Sequence, residues 1–393
     1  MSSHGYHVYL SQDVLRGFDH YKYSAIDTSP VSKYITHPFW NWIVKYVPLW
    51  IAPNVLTLAG FLLQVLNFSL LTYYDCDFYA ASRAHALSSP VPNWVWIFCA
   101  FNNFASHTLD GIDGKHARRT KSSSPLGELF DHGLDSWATL FFPISVYSIF
   151  GRGENGVDVF RVYLIIVGVM FCFLLSHWEK YNTGILFLPW GYDISQLGMS
   201  LIYLITFIGG YELWKFNIPF MGITSSEAFE IVCYVGLIGM TIPPTIWNIY
   251  VSYREGTGKM RSFYEATRPL ISTVLLFGLL ITWIIISPYD IMNKQPRLFY
   301  WMTGIAFSNI TCWLIIAQMS NTRCELFNWL LLPLSAIVMF VYFIPLGTLE
   351  LYMLWSYCVL AMCIHLHFGI SVVQEMCFHF KIKAFSVPPV KID

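Results

Sequence analysis

Charged residues are scarce in this sequence. Asp, Glu, Lys and Arg make up 12% of the 393 residues, whereas ordinary soluble domains contain about 25%. Hydrophobic residues make up 55%, and the mean hydropathy is +0.51. This composition excludes an ordinary soluble domain and predicts an integral membrane protein. The formal net charge of −1 gives no indication of a nucleic-acid partner.

Cysteine pairs with metal-ligand spacing are also missing from the sequence. The nine cysteines are scattered, mostly within apolar runs, and no CxxC pair occurs, so neither a zinc site nor a disulfide framework is implied. The first thirty residues contain no apolar core of the signal-peptide type, so we expect an internal hydrophobic segment to direct membrane insertion. Without internal repeats, low-complexity tracts or long linkers, a single membrane domain over 1–393 is the simplest interpretation.

Long apolar windows, by contrast, are abundant. A membrane-spanning helix needs about 20 mostly apolar residues, and ten windows reach or approach that length. They lie at 55–73, 92–109, 133–150, 157–177, 199–213, 228–249, 268–287, 299–319, 327–345 and 349–370. The predicted fold is therefore an all-α integral membrane bundle of about ten transmembrane helices.

The segment 37–53, HPFWNWIVKYVPLWIAP, precedes the first window and is rich in aromatic residues. We interpret it as an amphipathic helix that lies in the membrane interface. Trp40, Trp42 and Trp50 would then lie at the depth of the lipid headgroups. A short buried helix of a folded cap is the alternative interpretation.

Lys and Arg are distributed unevenly across the ten predicted spans. Seventeen of the 23 lie on the side of the N-terminus and six on the other side. The six are Arg83, Arg152, Arg161, Lys215, Lys294 and Arg297. Because cytoplasmic loops carry the excess of Lys and Arg, we expect both termini to face the cytosol.

The most polar long stretch is 110–136, DGIDGKHARRTKSSSPLGELFDHGLDS, and apolar windows flank it. Asp110 and Asp113 are three residues apart, so they share one face of a helix. Asp131 and Asp135 are four residues apart and share a face in the same way. The first pair follows the second predicted span on its cytosolic side, and the second pair opens the third.

The residues KSSSP at 121–125 divide this stretch into two helices. Ser124 is a candidate N-cap, and Pro125 occupies the first helical position. The two legs of the resulting hairpin can point four carboxylates at one another. These carboxylates cannot all ionise without compensation, which hard divalent cations with oxygen ligands provide. Two such ions about 4 Å apart suit an in-line displacement at phosphorus.

Small residues and a cation complete the pattern. The small residues would thin the helix surfaces so that a nucleotide diphosphate could approach the backbone. They are Gly111, Gly114, Ala117 and Gly127. Arg118 is placed to neutralise a phosphate. The alternative is a cytosolic loop in which Arg118 and Arg119 merely pair with the aspartates, which explains the charge balance but not the helical phasing.

The spacing of these residues matches a known signature. Asp113, Gly114, Ala117, Arg118, Gly127, Asp131 and Asp135 fit the pattern D-G-x2-A-R-x8-G-x3-D-x3-D, and Asp110 fits its leading aspartate. The sequence therefore resembles the CDP-alcohol phosphotransferase family. YKYSAIDTSP, HPFWNWIV, APNVLTLAGF, PNWVWIF and SHWEKYNTG are similar to its eukaryotic choline/ethanolamine branch. ILFLPWGYDISQ and FGRGENGV most resemble the ethanolamine-using members.

The resemblance implies a reaction. Phosphoethanolamine would pass from CDP-ethanolamine to diacylglycerol, giving phosphatidylethanolamine and CMP, with Mg²⁺ or Mn²⁺ in a two-metal site. Residues 55–250 would form the catalytic core and 268–370 additional transmembrane helices, in the endoplasmic reticulum or Golgi membrane. A homodimer is compatible with the resemblance. An enzyme that uses CDP-choline, or both donors, is the alternative within the family.

The resemblance also implies roles for individual residues. The metal ligands would be Asp110, Asp113, Asp131 and Asp135. The CDP-alcohol would be bound by Asn54, Gly114, Ala117, Arg118 and Gly127. His132 corresponds to the proposed proton acceptor, and its ordinary pKa near neutrality suits that role. Asp135 remains a rival for the proton, because the shorter signature does not require a histidine.

Several other polar residues near the cytosolic face could contact the substrate. Glu179, Lys180, Tyr181 and Asp193 could form the pocket for the alcohol headgroup, although ordinary interfacial anchoring explains them equally well. Glu128 is expected to interact with the N-terminus of its own helix, and a contact with a substrate ammonium group is the alternative.

Two other classes of function compete with the enzyme. A cation transporter would use the carboxylates as an ion path, but they cluster at one end of the spans and no half-helix repeat occurs. A non-catalytic scaffold would have no need of an intact signature.

Overall fold

The computed structural model describes residues 9–82, 89–188, 190–345 and 347–387. Within these ranges the chain forms fifteen α-helices. They are α1 (Gln12–Asp19), α2 (His37–Ile43), α3 (Pro53–Tyr74), α4 (Asn93–Arg119), α5 (Pro125–Ala138), α6 (Phe141–Phe150), α7 (Val159–Thr183), α8 (Gly191–Gly209), α9 (Ser225–Tyr234), α10 (Met240–Arg254), α11 (Phe263–Ile286), α12 (Ile291–Lys294), α13 (Pro296–Ser320), α14 (Leu331–Phe343) and α15 (Leu349–Phe380). Strands β1 (Ala25–Ile26) and β2 (Leu186–Phe187) pair in parallel.

Six helical segments in the described residues are long and apolar enough to cross a membrane. They are Pro53–Tyr74, Val159–Thr183, Ser225–Arg254, Phe263–Ile286, Pro296–Ser320 and Leu349–Phe380. The chain is therefore an α-helical integral membrane protein. Each of the ten predicted windows overlaps a helix, but length and composition support six spans rather than ten.

The four remaining windows differ from a simple span for physical reasons. The window 92–109 lies within α4, which continues through the charged motif. The window 133–150 is divided between α5 and α6 two residues before Pro143, which has no N–H to donate to the preceding turn. Helix α8 has 19 residues but begins eight residues before its window, and α14 has only 13 residues, too few to cross the hydrocarbon core.

The predicted interfacial helix over 37–53 is wrong in its second half. A π-helical turn, Ser32–Thr36, runs directly into α2 at His37, so the helical segment starts earlier than expected; α2 then ends at Ile43 and is followed by a 3₁₀ turn, Val44–Tyr46. Pro48 cannot continue the ladder of hydrogen bonds. Trp42 and Trp50 are exposed, whereas Trp40 is buried within the protein.

Helix α13 is the centre of the bundle. Its most apolar window is 89% buried, a much larger share than in any other candidate span. The N-terminal segment then crosses the ends of the bundle. It packs Gly17 of α1 against the last residue of α13, Ser320, and pairs β1 with the segment that follows α7. This path brings residues 20–46 over the ends of α4, α5 and α7.

The predicted orientation depends on Lys and Arg residues of which two, Arg83 and Lys391, lie outside the described residues. The distribution of the others remains a sequence-based expectation.

Candidate active site

The charged segment folds as the predicted helical hairpin. Ser124 is the N-cap of α5: its side-chain oxygen accepts a hydrogen bond from the backbone N–H of Gly127 at 3.2 Å, and Pro125 occupies the first turn. Because α4 runs unbroken to Arg119, the first two aspartates lie on its last turns. The hairpin therefore sets these residues opposite those of α5.

Three carboxylates meet between the two helices. Asp110, Asp113 and Asp131 each offer an oxygen atom, and these atoms all lie within 4.8 Å of one another. In the described part of the chain the buried Asp131 Oδ1 has no hydrogen-bond donor, and an unpaired buried carboxylate oxygen is costly without a cation. This oxygen-only donor set fits a hard divalent cation.

Asp135 lies one turn further along α5 and lines the same cleft as Asp110. The cleft extends from the carboxylates between α3, α4, α5, α6 and α8. Its polar lining comprises Thr57, Gln64, Ser106, His107, Asp110, Asp135, Tyr192 and Gln196, and its apolar lining includes Phe61, Leu134 and Phe142.

Two hydroxyl groups that the sequence analysis missed fix the carboxylates of α4. Thr57 donates to Asp113 at 2.5 Å, and Tyr192 donates to Asp110 at 3.1 Å. Thr57 lies one turn after Asn54 on α3, so its position on the same helix face was available from the sequence. The contact of Tyr192 depends on the packing of α8 against α4.

The predicted nucleotide-binding residues lie around the connection between α4 and α5. The side chain of Asn54 donates to the backbone oxygen of Ala384 at 2.9 Å, and a Cβ atom on Gly127 would lie 3.6 Å from Asn54 Oδ1. Gly114 is exposed and faces Arg118, since a Cβ atom there would lie 3.7 Å from Arg118 Nη1. Ala117 is half-buried.

The basic residues do not support the alternative of a salt-bridged loop. Arg118 is exposed and makes no hydrogen bond or ion pair within the described ranges. Arg119 donates to backbone carbonyls of the 3₁₀ turn, at 2.8 Å to Val44 and 3.1 Å to Lys45. The aspartates are thus left available to a ligand.

Gly111 has a different function from the one expected. A Cβ atom on Gly111 would lie 2.2 Å from the indole ring of Trp40, so this glycine accommodates the tryptophan of α2 and not a nucleotide. Trp40 also packs edge-on against His107, with ring centroids 5.3 Å apart. Gly111 therefore allows the N-terminal segment to pack on α4.

His132 is buried beside the carboxylates but is not part of the cleft lining. Its Nε2 lies 3.8 Å from Asp131 Oδ2, and its Nδ1 lies 3.9 Å from Glu128 Oε1. The ring of His177 contacts it edge-on, with centroids 5.0 Å apart. The imidazole thus lies on the side of α5 that faces α7, whereas Asp135 faces the cleft.

Glu128 does more than interact with the N-terminus of its helix. It accepts hydrogen bonds from Tyr21 and Lys180, both at 2.5 Å, and Lys180 Nζ lies 2.6 Å from the Tyr21 hydroxyl. Burial and the carboxylate of Glu128 raise the pKa of Tyr21, so this phenol stays protonated as a donor. The network joins the N-terminal segment to α5 and α7.

The polar residues considered for a headgroup pocket are engaged elsewhere. Asp193 accepts from Thr36 at 2.9 Å and pairs with His107 at 2.8 Å. Glu179 accepts from Thr245 and Asn248. These contacts join helices to one another and leave little capacity for a ligand.

Comparison with known proteins agrees with this site. A sequence model of the CDP-alcohol phosphatidyltransferase family matches residues 50–222. The chain is 52% identical over 382 residues to ethanolaminephosphotransferase 1 of Mus musculus, covering 96% of this chain and 94% of the relative. The chain belongs to the CDP-alcohol phosphatidyltransferase family.

Other members of the CDP-alcohol phosphatidyltransferase family cover similar lengths. Ethanolaminephosphotransferase 1 of Homo sapiens is 51% identical over 96% of this chain and 94% of its own length. Cholinephosphotransferase 1 of Xenopus laevis is 32% identical over 96% of this chain and 90% of its own length. The matched region of the family model contains every residue of the carboxylate cluster.

Proposed function

We propose that this protein transfers phosphoethanolamine from CDP-ethanolamine to diacylglycerol and releases CMP. The observation that carries the proposal is the cluster of carboxylates from α4 and α5, which opens into a cleft. The donor is inferred from the relatives, because identity falls from 52% with an ethanolaminephosphotransferase to 32% with a cholinephosphotransferase.

Asp110, Asp113, Asp131 and Asp135 would hold two divalent cations, Mg²⁺ or Mn²⁺. Bound there, the ions would offset the negative charge of the transferred phosphoryl group. Thr57 and Tyr192 keep two of these carboxylates in place by donating hydrogen bonds to them.

The cytosolic end of the hairpin would bind the nucleotide. Arg118, which is exposed and unpaired within the described ranges, is available for a phosphate. Asn54 contacts the substrate in this proposal. Gly114, Ala117 and Gly127 would let the substrate approach the helix backbones. Gly114 and Gly127 have no side chain that would block this approach.

His132 would accept the proton of the diacylglycerol hydroxyl as that oxygen attacks the β-phosphorus and CMP leaves. Its position next to Asp131, with Nε2 3.8 Å from Asp131 Oδ2, supports this role. Asp135 is the competing acceptor because it faces the cleft.

The remaining features of the proposal concern the whole protein. The cytosolic location of both termini and the division into a core (55–250) and additional helices (268–370) remain proposals. So do the location in the endoplasmic reticulum or Golgi membrane and the homodimer.

The test is the reaction itself. Purified full-length protein, given diacylglycerol, Mg²⁺ or Mn²⁺ and labelled CDP-ethanolamine or CDP-choline, should release CMP faster from CDP-ethanolamine, and EDTA should abolish the release. A higher rate with CDP-choline would show that CDP-choline, and not CDP-ethanolamine, is the preferred donor. Release from neither donor, with protein that remains folded, would overturn the proposal.

A further inference from the structure

The carboxamide oxygen of one cleft glutamine has no partner among the described residues. Gln196 on α8 is only 3% exposed, and its carboxamide oxygen Oε1 is buried without a hydrogen bond in the described part of the chain. Gln196 nevertheless lines the cleft that contains Asp110 and Asp135. A buried polar atom without a partner costs free energy, so a ligand group that reaches this oxygen would be stabilised.

The other cleft glutamine differs. The side chain of Gln64, on α3, donates from Nε2 to Asn103 Oδ1 at 3.2 Å. The same Asn103 donates to the backbone oxygen of Gln196 at 2.9 Å. These bonds fix the backbone of Gln196 and the amide of Gln64, while the Gln196 side chain is left to a ligand.

Three hydroxyl groups around the cleft already donate their hydrogen atoms to other groups, so towards a ligand they can only accept hydrogen bonds. Thr57 donates to Asp113, Tyr192 donates to Asp110, and Ser106 donates to the backbone oxygen of Gly60. Together with the carboxylates, these oxygens make the cleft rich in hydrogen-bond acceptors. Such a lining suits a cation that carries N–H donors, and it disfavours ester groups, which only accept.

The position of the cleft indicates which part of the substrate would enter it. Along α4, Arg118 and Gly114 lie on one side of Asp110, and Ser106 and His107 lie on the other side, in the cleft. A donor whose phosphates are held at the carboxylates, with its nucleotide toward Arg118, therefore directs its alcohol group into the cleft. Gln196 lies one helical turn from Tyr192, which contacts Asp110.

We propose that the carboxamide oxygen of Gln196 accepts a hydrogen bond from the ammonium group of the donor's alcohol moiety, and that this bond selects a primary over a quaternary ammonium. The proposal rests on the function proposed above. A primary ammonium has N–H donors for the oxygen, whereas a trimethylammonium group has none and places methyl groups against it.

The test uses donors that lose one N–H at each step: CDP-ethanolamine, its N-methyl and N,N-dimethyl derivatives, and CDP-choline. For the full-length protein, kcat/KM should fall along this series. Gln196→Met keeps the length of the side chain and removes the acceptor. It should lower the ratio of kcat/KM for CDP-ethanolamine to that for CDP-choline by about 10- to 100-fold, the range for a hydrogen bond to a charged group, mainly through KM.

Gln64→Met is the matched control, because it removes an amide that lines the same cleft but is bonded to Asn103. It should change kcat/KM for both donors by the same factor. The inference would be overturned if Gln196→Met kept the wild-type ratio of kcat/KM for CDP-ethanolamine to that for CDP-choline. It would also be overturned if Gln64→Met lowered this ratio as much as Gln196→Met does.

If Gln196→Met releases no CMP from any donor, Gln196→Glu decides, because a carboxylate keeps the acceptor. Retained preference for CDP-ethanolamine in Gln196→Glu supports the inference, and loss of the preference contradicts it. Failure of the wild-type protein to release CMP from any donor would instead contradict the proposed function.

Discussion

Two glycines of α4, three residues apart, have opposite surroundings. The Cα of Gly111 faces the Trp40 ring, and Gly114 faces open space near Arg118. The sequence placed both in one group because both flank the same aspartates. Their surroundings differ because α2 packs against Gly111 and not against Gly114, and this packing cannot be predicted from residue spacing within α4.

Replacing each glycine by alanine should separate stability from activity. Gly111→Ala puts a Cβ atom 2.2 Å from Trp40, so it should lower the free energy of unfolding by about 1–3 kcal/mol, measured by unfolding in detergent. Gly114→Ala should leave stability within about 0.5 kcal/mol or raise it and raise KM for the CDP-alcohol. Equal losses of stability in both variants would show that the Trp40 contact is not the cause.

His132 and Asp135 are the two candidates for the general base, and single substitutions distinguish between them. His132→Ala should lower kcat at least about 100-fold, because general-base catalysis contributes about 10²- to 10⁴-fold, while the apparent affinity for Mn²⁺ stays unchanged. Asp135→Ala should lower both kcat and the affinity for Mn²⁺. The measurement is turnover as a function of Mn²⁺ concentration. Near-normal turnover of His132→Ala would move the role of base to Asp135.

At the scale of elements, the junction between α4 and α5 controls how the carboxylates meet. The caps that end one helix and begin the next were readable from the sequence, since Ser124 and Pro125 have the residue types that begin helices. The break between α5 and α6 lies just before Pro143, inside a continuous apolar window whose hydropathy gives no sign of it.

Ser124→Ala removes the N-cap of α5. The loss of its bond to the Gly127 N–H should cost about 1 kcal/mol of stability and raise KM for the CDP-alcohol, because the start of α5 carries Gly127. Ser124→Asp should restore both values, since aspartate is an equally good cap. Thermal unfolding and steady-state kinetics of the two variants measure these effects. If KM stayed raised in Ser124→Asp, the loss of the N-cap would not be the cause of the change in KM.

At the scale of the whole molecule, a buried ion pair joins the other ends of α3 and α13. Arg297 lies 3.6 Å from Asp75 Oδ2 and donates to the backbone oxygen of Asp75 at 2.6 Å. The helix α3 separates this pair from Asn54 by about 30 Å. The pair therefore stabilises the fold without contact with the candidate site.

Arg297→Met should strongly destabilise the protein, by about 3–5 kcal/mol, because it leaves Asp75 buried without a cation. Arg297→Met combined with Asp75→Asn should recover part of this loss. KM for the CDP-alcohol in the folded fraction should not change in either variant. Unfolding in detergent is the measurement, and a double variant no more stable than the single one would contradict the role of the pair.

The sequence by itself determined the membrane class, the helical hairpin, its cap and the grouping of Asp110, Asp113 and Asp131. These follow from composition and from spacings within one or two helices, which local geometry fixes. The tertiary structure decided which partners those residues meet. Tyr192 reaches Asp110, Trp40 occupies the space at Gly111, and Gln196 is left without a partner, because each contact depends on packing between elements distant in sequence.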